Sequence, residues 1–324
     1  MKILIYDAGR RKELMTGYGI ISHQFSNRLR DKGHQVYHYD EQNYPQDINF
    51  WLWIRPPHYV KYDQFDTNNV NVFYTMHEHD KLPETKKDWP DLLNKCHAVI
   101  TPTEWNKKVW QDNGVAADIY VAPPGVDTKI FKGNKSYQFS LLSVHEGLGL
   151  VGAREHWKEN ITAYFECFYD NYHNEVSYTI KSWSIDWQGY KTFLDDLIKR
   201  KKYQADKLPE INIIDAEMSP LGMNSLYANH WAFLKNTRGE GYCLPALEAV
   251  AVGLRVISKP FPAGVYLNDD NTDYFKNYLE LTEKLWENWR RYRKWKAYVN
   301  SLSWGFATNK LENVLIDIWQ KNSK

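Results

Sequence analysis

The chain has 324 residues, with 41 Lys+Arg against 40 Asp+Glu for a formal net charge of +1. Hydrophobic residues make up 43% and charged residues 25%, which excludes a disordered or fibrous chain and predicts about two globular domains. Charge is even along the chain: residues 1–135 carry 18 basic and 17 acidic side chains and the remainder 23 of each, so no half stands out as polyanion-binding.

No apolar run approaches the ~18 residues that a membrane helix requires, and Met1–Asp7 reaches an acidic residue too early for a secretory signal. Cys96, Cys167 and Cys243 are far apart and match no metal-ligand spacing. The expected compartment is a reducing cytoplasm. Aromatic residues reach 15%, and aromatics both fill cores and stack on sugars or bases, so composition leaves both uses open.

In chain order, residues 2–6 predict a short apolar strand, 20–31 an amphipathic helix and 34–38 a second strand announced by Gly33. Between the first strand and the helix lies a loop with Gly9, Gly17 and Gly19. Strands follow at 48–54, 70–76, 97–101 and 119–122, with a helix over 103–113 capped by Thr103. Pro123-Pro124-Gly125 breaks the pattern, and the polar run 132–136 reads as a linker. The alternation then restarts. Strands are expected at 140–144, 176–181, 211–214, 231–234 and 255–258, and helices at 160–172, 190–203, 219–227 and 244–252. From 272 to the end the chain reads as helical, interrupted near 301–304. Two such alternations predict two Rossmann-like α/β domains with parallel sheets.

The most informative stretch is Arg238-Gly239-Glu240-Gly241-Tyr242-Cys243-Leu244-Pro245-Ala246-Leu247-Glu248, continuing to Gly253. Pro245 falls in a first helical turn, where its missing N–H costs nothing. The free amides of that turn and the helix dipole form an anion site. Glu240 precedes those amides and Glu248 lies about two turns further along the helix. The pair suits sugar hydroxyls on one carboxylate and a ribose diol on the other. A helix-terminal acid beside an unrelated surface glutamate is the other reading.

The whole string resembles the signature of the retaining glycosyltransferases of family 4. That pattern runs Glu-Gly-aromatic-Gly-Leu-Pro, Leu-Glu-Ala-Met-Ala-x-Gly, then Pro-Val-Ile. Here Cys243 stands for the second glycine, Val250 for the methionine, and Arg255 before Val256-Ile257. Four weaker pieces follow in the family's order: Gly17-Tyr18-Gly19, Thr101-Pro102-Thr103-Glu104-Trp105, Pro123-Pro124-Gly125-Val126-Asp127 with Phe131, and Ser303-Trp304.

The resemblance implies a GT-B fold, with two Rossmann-like domains flanking a cleft and a C-terminal helix crossing back to the first. Residues 1–133 would form the acceptor domain, 134–302 the nucleotide-sugar domain and 303–324 the returning helix. It further implies a retaining transferase using a UDP- or GDP-sugar, with no tightly bound cofactor and no metal. Gly17, Tyr18, Gly19, Gly241, Tyr242, Cys243, Leu244 and Glu248 would bind donor, with Glu248 on the ribose and Glu240 on the sugar. The family offers an Arg and a Lys spaced by four residues for the diphosphate; Arg154 and Lys158 match with one residue fewer.

His77-Glu78-His79 has three readings: a metal pair lacking an evident third ligand, a surface loop, or, as the resemblance implies, a cleft-lining segment with His77 facing the sugar. No Asp-x-Asp, Gly-x-G-x-x-Gly, P-loop or nucleophile elbow occurs. Of the basic runs 199–202 and 289–296, the second interleaves aromatics with cations and would suit nucleic acid or an acidic membrane surface, although Trp286, Trp289, Tyr292 and Lys296 share a helical face, which core packing explains better.

Two alternatives stand beside the transferase. One is a non-catalytic GT-B binding or accessory protein, favoured by Cys243 and the shortened Arg–Lys spacing. The other is a phage-type enzyme glycosylating modified bases in DNA. The acceptor is thus open among a glycan, a small molecule and a modified base.

Overall fold

A computed structural model describes residues 1–7, 17–39, 46–52, 69–83, 88–133, 139–150, 154–170, 173–174, 176–275, 280 and 304–322. Gly9, most of the linker, the run 289–296 and the break at 301–303 lie outside those residues. The first sheet holds β1 (Lys2–Asp7), β2 (Gln35–His38), β3 (Ile48–Leu52), β4 (Val70–Tyr74), β5 (Ala98–Thr101) and β6 (Ile119–Val121) in spatial order β2-β1-β3-β4-β5-β6. Every pairing in it is parallel. Its helices are α1 (Gly17–Asp31), the short α2 (Trp89–Leu93) and α3 (Glu104–Asp112). β3 and β4 are buried at every residue, as parallel strands covered on both faces should be.

The second sheet holds β7 (Phe139–Leu148), β8 (Val176–Ile185), β9 (Glu210–Ile214), β10 (Ala232–Lys235), β11 (Arg255–Ser258) and β12 (Thr272–Tyr274). Their order, β12-β11-β10-β7-β8-β9, is again parallel throughout. Its helices are α4 (Trp157–Phe168), α5 (Trp187–Lys201), α6 (Pro220–Ala228) and α7 (Leu244–Val252). The order reverses at β7/β10, so a crevice opens beyond the carboxyl ends of those two strands. Residues 272–274 correct the expectation of helix from 272 onward. They form β12, registered on β11 through Val256–Thr272, with Asp273 holding Arg255 at 2.7 Å.

Local signals account for several boundaries. Thr103 caps α3 by accepting the Asn106 N–H, and Ser219 caps α6 through Gly222. Helix α7 stops at Gly253, whose φ of 102° suits a residue without Cβ.

The final helix, α8 (Trp304–Asn322), lies against α1 of the first domain. Trp304 donates its N–H to Val126 O at 2.7 Å and meets Phe25 edge to face at 5.5 Å. Glu312 binds Lys32 at 2.6 Å and His34 at 2.8 Å. The segment between the sheets is equally pinned. Asp127 pairs with Arg28 at 2.9 Å, while Phe131 reaches across to Tyr227 of α6. One apolar core therefore runs from the first sheet through Val126 and Phe131 into α7 and α8, and two smaller cores cover the outer faces.

No helix among the described residues is long and apolar enough to cross a membrane. Trp304 is buried at the join, whereas Trp187 is 51% exposed. Trp304→Ala should lower the unfolding free energy in urea by about 3–5 kcal/mol, and Trp187→Ala by less than about 0.5 kcal/mol. Equal losses would contradict the returning-helix packing.

Candidate active site

The crevice at the β7/β10 switch point contains a cluster of charge that the sequence pattern only half reveals. Lys235 ends β10 with a side chain only 3% exposed. Its Nζ lies 2.5 Å from Glu240 Oε1 and 3.2 Å from Glu155 Oε1. Arg154 reaches Glu240 at 3.8 Å, Glu155 at 3.7 Å and Glu146 at 3.3 Å, and pairs with Glu78 of the first domain. Burial works against the Glu155 charge, but Lys235, His145 and Arg154 outweigh it and hold the carboxyl down at about 2. Burial holds the neighbouring His145 imidazole at about 4, so it is neutral at pH 7.

The segment carrying Arg154 and Glu155 is fixed by its backbone. Glu155 bridges antiparallel to Thr237, Arg238 N–H donates to Arg154 O at 3.1 Å, and His156 N–H donates to Asn236 O at 2.9 Å. Lys158 points elsewhere. Its ammonium lies over the rings of Trp157 at 5.3 Å and Phe193 at 5.8 Å, not among the carboxylates around Arg154. The second cation beside Glu240 is Lys235, which sequence reading missed.

Helix α7 begins beside this cluster. Cys243 takes the left-handed conformation, φ 64°, at the cap position. The glycine that family 4 places there meets this backbone without the Cβ clash of an L residue. Burial pushes the Cys243 thiol up to about 12, so it is protonated and no nucleophile. Glu248, half-buried one helix face further on, accepts from Tyr227 Oη at 3.0 Å. Burial pushes the Glu248 carboxyl up to about 7, although the Tyr227 hydrogen bond pulls the other way.

The first domain closes onto this loop. A Cβ on Gly239 would strike the Glu78 carbonyl oxygen, and one on Gly241 would lie 2.6 Å from Met76 Cγ, so both positions need glycine for the close approach. Asn106 ties three elements together: it accepts from His77 N–H at 2.9 Å and donates to Gly241 O at 2.7 Å and Thr103 Oγ1 at 3.0 Å. Tyr242 Oη donates to Pro124 O at 3.0 Å. The start of α1 faces the start of α7, with Leu244 Cδ1 3.9 Å from a Cβ built on Gly17. Tyr18 is buried and its hydroxyl accepts from Met76 N–H at 3.1 Å. Gly19 follows it in the first turn of α1.

His77 is 4% exposed and its ring sits near Trp110 at 5.9 Å and Trp89 at 6.3 Å. The residue that projects to Arg154 is its neighbour Glu78. The chain bends from Glu78 onward, directly after His77, and the two side chains diverge there.

Glu248 gives the site a pH signature. Its folded pKa lies above the ordinary 4.5, so the native state binds more protons between pH 4.5 and about 7 and loses stability as pH rises through that window. Glu248→Gln should remove a loss on the order of 2 kcal/mol between pH 5 and 8, read by urea unfolding at each pH. Parallel pH profiles for the two proteins would contradict this environment.

No protein-family model and no curated protein sequence matches the chain. Solved structures do resemble it. Anabaena Alr3699/HepE in complex with UDP-glucose superposes with a TM-score of 0.67 at 13% identity, covering 100% of this chain and 99% of that one. Sucrose-phosphate synthase from Thermosynechococcus elongatus gives 0.72 at 12% identity, covering 99% and 100%. The pneumococcal O-GlcNAc transferase GtfA, in complex with UDP and GlcNAc, gives 0.63 at 14% identity, covering 84% of this chain and 56% of that one. With two parallel six-stranded sheets and a final helix returning to the first domain, the chain has the GT-B fold.

Proposed function

We propose that the chain is a retaining glycosyltransferase that takes a sugar from a nucleotide-sugar donor, with UDP as the carrier. The observation that carries this reading is the convergence, at one switch point, of Arg154, Glu240, the start of α7 and Glu248. The fold likeness to HepE, which binds UDP-glucose, and to GtfA, which binds UDP, supports the donor class. The resemblance to family 4 supports retention.

In this reading Glu248 takes the ribose diol, and the α7 amides with Arg154 take the diphosphate. Glu240 and the backbone of 241–244 take the sugar hydroxyls. As the C1–O bond to the diphosphate breaks, negative charge grows on the leaving group, where Arg154 and the helix dipole meet it. The acceptor oxygen bonds to C1 as the C1–O bond to the diphosphate breaks, its proton passes to the departing diphosphate oxygen, and nucleoside diphosphate leaves. Arg154 is engaged by Glu78 in the structure, so diphosphate takes the place of that carboxylate. In the first domain, Gly17–Gly19 at the start of α1 approach both the donor phosphates and the acceptor, and the segment 77–79 presents the acceptor. Lys158 has no part in this arrangement, and no covalent nucleophile is assigned.

Nucleoside diphosphate release from UDP-, GDP- and ADP-glucose, without acceptor, tests the reading. We expect release from UDP-glucose, lowered about 100-fold in Glu240→Gln, with UDP affinity within about threefold of the parent. No release, together with no thermal shift from any of the three, would contradict it.

A further inference from the structure

We propose that Lys235 is the positioning residue of the donor site, holding the Glu240 carboxylate in place for the sugar while Glu155 balances its charge. The inference rests on the donor-site reading above. A lysine at the end of a strand ordinarily extends its ammonium into water. Lys235 does the reverse: its side chain is 3% exposed, and its ammonium sits between Glu240 at 2.5 Å and Glu155 at 3.2 Å.

Covered in this way, the ammonium has no open path to a diphosphate. The cation that does face the cleft is Arg154, 24% exposed and shared among Glu78, Glu146, Glu155 and Glu240. Once a diphosphate engages Arg154, the cation left to Glu240 is Lys235. The backbone on either side of Glu240 is held, by Thr237 Oγ1 donating to Gly239 O at 3.0 Å and Asn106 donating to Gly241 O at 2.7 Å, which leaves the orientation of the carboxylate itself to its cations. Glu155 belongs to a segment bridged to Thr237 and bonded at Asn236 and Arg238. Rigidity therefore passes from that bridged segment through Glu155 and Lys235 to Glu240.

Lys235→Met alone strands the buried Glu155 carboxylate and endangers folding, so the decisive protein is the double variant Lys235→Met/Glu155→Met. Its UDP affinity is measured by calorimetry, and acceptor-free release is measured with the nucleotide sugar that the parent cleaves. The proposal expects UDP affinity within about threefold of the parent and release lowered about 100-fold, as in Glu240→Gln. A purely structural lysine would not produce that split.

Release within about threefold of the parent would overturn it, because Lys235 would then only neutralise Glu155. UDP binding weakened more than about tenfold would overturn it as well, by making Lys235 a phosphate ligand. A parent chain that binds no nucleotide of the panel overturns the donor reading first, before any variant is made, and the role of Lys235 with it.

Discussion

A buried ammonium between two carboxylates organises the cleft of this protein. Lys235 has given up water for Glu155 and Glu240, and such burial is costly unless the geometry of the pairing is good. Ion pairs of this kind are seldom the best way to stabilise a fold, since well-packed apolar residues do as well or better. Their placement is the informative feature. The cluster sits where β7 and β10 part, the position at which an open parallel sheet presents a crevice to a ligand. Arg154, 24% exposed and paired with Glu78 of the first domain, is the more accessible end of the network, and Lys235 the covered one.

The closeness of the two domains follows from small residues and a few backbone bonds. Gly239 and Gly241 let the 76–79 segment approach the loop that carries Glu240, and Asn106 bonds across the join. Tyr242 does the same from the other domain through Pro124. Behind them the apolar core is continuous through Val126, Phe131 and α8, which limits how far the halves can separate without exposing it. The facing surfaces of the two domains are thereby brought within side-chain reach of each other around the loop that carries Glu240.

Much of this was legible in the sequence, for identifiable reasons. Helix α7 was delimited to the residue because Pro245 and Gly253 punctuate it, and Thr103 gave the start of α3 through its hydroxyl. Buried strands such as β3 and β4 announced themselves as apolar runs. β12 was missed because three residues, Thr272–Tyr274, carry no readable period; register on β11 makes them a strand. Lys235 was missed because a lysine ending an apolar strand reads as a solvated tip. Only the approach of Glu155, eighty positions earlier, shows that it is buried. Lys158 matched a spacing, yet the face of α4 on which it lies turns it toward Phe193. The choice between His77 and Glu78 depends on how the chain bends after β4, and that is a tertiary fact.

The most direct test of the account is a structure of the chain with UDP-glucose bound. It predicts ribose hydroxyls on Glu248, the diphosphate on Arg154 and the first turn of α7, and Glu78 displaced from the guanidinium. The sugar should lie against Glu240, with Lys235 still covered behind it. Nucleotide bound away from the β7/β10 crevice, or Arg154 still paired with Glu78 beneath a bound diphosphate, would contradict it.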